Sequence, residues 1–122
     1  MRRASWGMSD EREPRVLVLA RRFEAWIAQR EARLARWPGH WEQLERTTGS
    51  VISNVGEALD SETLPQKRRY FGYALAAAGE ARKLVKGYRS ADILSAAEGA
   101  EALRLLKNIR WDLIRLIDWT KR

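Results

Sequence analysis

Cysteine is absent from the 122 residues, and histidine occurs once. The first absence excludes a disulfide scaffold, a thiolate zinc site and a cysteine nucleophile. The second excludes a metal site built on several histidines. No uncharged stretch exceeds ten residues, Tyr70 to Gly79 being one such. That is about half of what a bilayer-spanning helix needs. Arg2 and Arg3 are followed by no apolar run before Asp10, so no secretory signal is expected and the cytoplasm is the default location. Val, Ile and Thr are sparse, and no strand-like alternation persists. A phosphate loop, a nucleophile elbow and a dinucleotide fingerprint are all missing. His40, in Trp37-Pro38-Gly39-His40-Trp41, has no nearby serine or acidic orienter in sequence. No enzymatic activity and no cofactor are expected.

Ala, Leu, Arg and Glu dominate the composition, and all favour helix. Hydrophobic residues make up 45%, enough for one core, and 14.1 kDa suits one domain. Residues 1–13 are expected to form a flexible polar arm carrying Trp6, and residues 14–122 the folded unit. The three prolines, at 14, 38 and 65, each stand where a helical pattern starts or stops. Periodicity predicts helices over about Pro14 to Arg36, His40 to Asp60, Pro65 to Lys86, and from just after Ser90 to Thr120. Ser61 and Ser90 are the expected caps for the third and fourth helices, Asp92 the first-turn acid, and Gly87 the stop of the third. Short connections between four helices imply an all-α, up-down-up-down antiparallel bundle.

The fourth helix carries more apolar surface than one core needs. Leu103, Leu105, Leu106, Ile109, Leu113, Ile114, Leu116 and Ile117 fill roughly half its circumference. The surplus predicts a subunit interface, and Arg110, which projects inside the same arc, needs a partner there. Glu57 and Glu80 are the expected partners. A fatter core with a snorkelling arginine is the plainer alternative. Glu98 and Glu101 read as a solvated acidic face. Trp26, Trp37 and Trp41 read as packing residues. Trp111 lies off the main apolar arc and is the tryptophan best placed to act on a ligand, with packing or a subunit interface as the commoner role for such a residue.

Lys and Arg number 23 against 16 Asp and Glu, a formal net charge of +7. The excess is one-sided, since residues 61–122 carry 13 basic and 7 acidic side chains. Such a bias favours polyanions, nucleic acid first. Arg68, Arg69, Lys83 and Lys86 share an arc of about 100° on the third helix, with Arg89 just beyond. Lys107 and Arg115 form a second strip. These seven residues are the expected phosphate contacts of a DNA- or RNA-binding surface. The competing reading is a protein-only scaffold whose charge serves solubility.

The segment Gln43-Leu44-Glu45-Arg46-Thr47-Thr48-Gly49-Ser50-Val51-Ile52-Ser53-Asn54-Val55-Gly56-Glu57 resembles the motif of a bacterial four-helix-bundle family. That family comprises the proteins of ribosomal RNA intervening sequences and the accessory variability proteins of diversity-generating retroelements. Gln43, Leu44, Arg46, Ser50, Asn54 and Glu57 occupy matching positions, while Glu45 and Ala58 depart. Tyr70-Phe71 and Ala74 to Glu80 are similar to the family's aromatic third helix, with Ala76-Ala77 replacing Gly-Ser. The resemblance implies a homopentameric barrel, nucleic-acid binding and, in the retroelement branch, a reverse transcriptase as partner. On a helical wheel Arg46, Ser50, Asn54 and Glu57 form a polar stripe of about 80°. Arg46 and Glu57 are three turns apart, so they are expected to pair across helices or subunits, with Glu80 and Arg110, in a structural polar network.

Overall fold

A computed structural model describes residues 14–122. The expected arm over residues 1–13, with Trp6, lies outside the described residues. Four helices and no strand occur among the described residues: α1 (Arg15–Leu34), α2 (Pro38–Asp60), α3 (Leu64–Ser90) and α4 (Ala96–Thr120). Each packs against its sequence neighbours, and α1 meets α4 to close the ring. Cross-helix contacts fix the directions. Lys67 reaches Ala58 and Tyr88 reaches His40, so α2 and α3 are antiparallel. Arg68 reaches Thr120 and Arg89 lies on Gly99, so α3 and α4 are antiparallel too. Trp26 and Arg30 reach Glu101 and Glu98, which sets α1 antiparallel to α4. No helix is long and apolar enough to cross a membrane among the described residues.

The apolar faces of the four helices meet in one core. Phe23, Leu34, Leu44, Val55, Phe71, Val85, Leu106, Ile109 and Leu113 are almost wholly buried. Ala74, Ala78 and Ala81 are fully buried as well, small residues that let α3 approach its neighbours closely. Trp37, in the connection before α2, stands 39% exposed, whereas Trp26 and Trp41 are buried.

The helix ends required tertiary contacts to settle. Helix α1 stops at Leu34, two residues early, where the chain turns before Pro38. Ser61 ends α2 rather than capping α3, and the Thr63 hydroxyl accepts from the Gln66 N–H instead. Gly87 does not stop α3. The helix continues to Ser90 because Tyr88 is buried and its hydroxyl donates to the His40 carbonyl. Asp92, expected in the first turn of α4, reverses the chain at φ 59°, and the N–H groups of Ile93 and Leu94 both return to the Tyr88 carbonyl. Ser90 is therefore no cap. Helix α4 begins at Ala96, where Ser95 and Glu98 form a reciprocal capping box.

Candidate nucleic-acid interface

The motif stripe on α2 faces α3 across an open groove of about 420 Å³. Arg46, Ser50, Tyr73 and Glu80 are among its lining residues. Asn54 donates through Nδ2 to the Ser50 carbonyl (2.9 Å) and to Ser50 Oγ (3.1 Å). The structure thus gathers Arg46, Ser50, Asn54 and Glu80. Glu57 and Arg110 are not brought into that set. Helix α2 lies diagonally across the ring from α4, which carries Arg110, while Glu80 lines the groove between α2 and α3. The expected pairing of Arg110 with Glu57 or Glu80 is absent from the described residues. Arg110 is half-buried, and its Nε is buried without a hydrogen-bond partner there.

Glu98 is largely withdrawn from the expected solvated face, while Glu101 stays exposed. Glu98 Oε2 accepts from Arg30 (3.1 Å) and Arg33 (2.6 Å), and Glu101 accepts from the Trp26 indole (3.0 Å). The Arg30 guanidinium lies 4.4 Å over the Trp26 ring. These contacts fasten α1 to the start of α4. Burial pushes the Glu98 carboxyl up, but the Ser95 N–H, Arg33 and Arg30 outweigh it and hold the carboxyl below its ordinary range.

The expected basic strip on α3 separates into two parts. Arg68 and Arg69 stand about four turns, or roughly 22 Å, from Lys83 and Lys86. Arg68 is committed to α4: its Nε donates to Thr120 Oγ1 (3.2 Å) and its Nη2 to the Thr120 carbonyl (3.3 Å). That closes a helix C-terminus and withdraws Arg68 from phosphate contact. Arg69 is exposed beside the Tyr70 ring. Lys83, Lys86 and Arg89 are exposed, and the Arg89 stem covers Gly99. Lys107 is exposed, and Arg115 is exposed while pairing with the buried Asp112.

The antiparallel register gives these cations a different alignment. With Arg68 at Thr120 and Arg89 at Gly99, Arg104 and Lys107 on α4 stand level with Arg82, Lys83 and Lys86 on α3. With Arg15 at Asp112 and Trp26 at Glu101, Arg22 on the α4-facing flank of α1 comes to nearly the same height. All six side chains are exposed. They form a positive belt across α1, α4 and α3 rather than a stripe along one helix. Arg22, Arg82 and Arg104 were not singled out from sequence. A wheel of α4 finds Arg104, which shares its face with Lys107, but Arg22 and Arg82 belong to the belt only once the register is known. Trp111, 56% exposed, lies on the same face of α4, below the belt.

Two buried charges also escaped the sequence. Asp112 is held between Arg15 and Arg115. Lys67, buried, donates to three carbonyls at the end of α2. Comparison with protein-family models, with curated proteins and with solved structures finds no match to this chain.

Proposed function

We propose that this chain is a self-assembling, non-enzymatic bundle that binds nucleic acid through the belt across α1, α4 and α3. The observation that carries the reading is the level alignment of Arg104 and Lys107 with Lys83 and Lys86. Exposed cations from adjacent helices follow a phosphate backbone without reading bases, so binding is weakly sequence-selective and falls steeply with salt. The resemblance to the ribosomal RNA intervening-sequence and retroelement accessory family points the same way. It contributes the homopentamer, and in the retroelement branch the reverse transcriptase partner. A cytoplasmic location belongs to the same reading.

Assembly is supported by Leu103, Ile114 and Ile117, which remain only half-buried, and by the unpartnered Nε of Arg110 beside them. On the neighbouring helix α3, a Cβ added at Gly72 or Gly79 would meet nothing within 4 Å. A second copy that supplied a carboxylate or carbonyl would remove the penalty of a buried unpaired donor.

Fluorescence anisotropy against duplex DNA and structured RNA at two salt concentrations tests the binding. Reversing Lys83, Lys86 and Lys107 to glutamate is expected to weaken every sequence alike while leaving the sedimentation coefficient unchanged. Sedimentation of the wild type is expected near five times 14.1 kDa. Absence of binding at low salt favours the protein-only scaffold, for which the groove beside the exposed Tyr73 is the natural contact.

A further inference from the structure

We propose that Trp111 is a stacking platform for unpaired bases, which makes the belt prefer single-stranded over duplex nucleic acid. The inference rests on the reading of the belt as a nucleic-acid surface. Trp111 is the most exposed large hydrophobic side chain among the described residues, at 56%. Its ring meets no other aromatic ring there. Arg104, Lys107 and Arg115 precede and follow it by seven, four and four residues, so all four side chains fall within an arc of about 80°. An indole with cations a turn before and a turn after it matches a strand that offers a planar base between phosphates.

Other occupants fit this surface less well. The same face of a second copy would bring like charges together around the two indoles. An apolar protein surface would desolvate Lys107 and Arg104 without pairing them. A duplex satisfies the cations but keeps its base faces inside the stack, leaving Trp111 unused. Asp118, seven residues past Trp111, lies within this arc and Asp112 pairs with Arg115, so Arg104 and Lys107 are the cations that keep the surface positive. An unpaired strand supplies both the anion and the π-face.

The test titrates labelled oligo(dT) and oligo(U) of about twenty nucleotides, and a duplex of matching length, with wild type, Trp111→Ala and Trp111→Phe. The wild type is expected to bind the single strands more tightly than the duplex. Trp111→Ala is expected to lose about tenfold on both single strands and nothing on the duplex. Its salt slope should match the wild type's, because no phosphate contact is removed. Trp111→Phe should recover most of the loss. The two oligonucleotides show whether DNA or RNA is preferred. Equal effects on single strand and duplex, or no effect on either, overturn the platform and leave the belt intact. Loss of all polyanion binding by wild type at low salt overturns both. A changed sedimentation coefficient in Trp111→Ala assigns the residue to a subunit contact and overturns the platform.

Discussion

Lys67 closes α2 from the neighbouring helix, with its Nζ 2.5 Å from the Ser61 carbonyl oxygen. The carbonyls of Ala58 and Leu59 lie 3.2 and 3.4 Å from the same nitrogen. The last carbonyls of a helix lack intrahelical partners and carry the negative end of its dipole. A buried ammonium satisfies them and is itself satisfied.

Lys67→Met keeps the length of the stem and removes the donors. It is expected to destabilise the bundle by about 2 kcal/mol, since three carbonyls lose a charged partner. Urea unfolding followed by circular dichroism measures this. An unchanged midpoint would show that water replaces the ammonium at no cost.

Glu98 makes the fold sensitive to acid. Folding lowers its carboxyl below the ordinary value of 4.5. The stabilisation is therefore present above 4.5 and is lost as pH falls through the lower folded value. Glu98→Gln keeps a capping-box acceptor for the Ser95 N–H but should lose about 1 kcal/mol at neutral pH through the Arg30 and Arg33 contacts. Its stability should then vary less with pH than the wild type's. Urea midpoints from neutral pH to about pH 3 compare the two slopes, and parallel slopes refute the assignment.

Tyr88 acts at the other end of the scale. Burial pushes its phenol up from 10.0 to about 12. The neutral form is the one favoured by folding, so its contribution is complete below 10.0 and disappears as pH rises through about 12. Tyr88→Phe leaves the His40 carbonyl without its donor and should cost about 1 kcal/mol at neutral pH. The variant should also lose less stability than the wild type between neutral and alkaline pH. Thermal melts at the two conditions separate these effects.

Gly79 on α3 and Gly99 on α4 should respond differently to the same change. A Cβ on Gly99 would lie 2.7 Å from Arg89 Cδ and 3.3 Å from Arg89 Cβ, so the arginine stem must move away. On Gly79 it meets nothing within 4 Å. Gly79→Ala is expected to raise the stability of the dissociated chain by about 0.5–1 kcal/mol through helix propensity. In Gly99→Ala the lost packing offsets that gain and leaves no net stabilisation. Denaturant midpoints at dilute protein concentration are the measurement, and equal gains in both variants would place the Arg89 stem elsewhere.

Helical periodicity was enough to define the four helices and their buried faces. Periodicity at Phe23, Leu44, Val55, Phe71, Ala78, Ile109 and Leu113 assigns each to the core, because a helix with one apolar stripe has one way to hide it. Antiparallel order followed from the short connections. The end of α3 was not legible, since Gly87 is a common stop and only the Tyr88 hydroxyl on the His40 carbonyl shows why the helix runs on. Likewise Lys67, Asp112 and Arg68 read as surface charge until their partners on other helices are in view. The candidate interface divides in the same way. Lys83, Lys86, Lys107 and Trp111 are visible as cations and an aromatic on helix faces. Their union with Arg22, Arg82 and Arg104 in one transverse belt depends on the offset between neighbouring helices. That offset is set by Arg89 against Gly99 and by Arg15 against Asp112. Periodicity along one helix fixes an azimuth, and only contact between helices fixes a height.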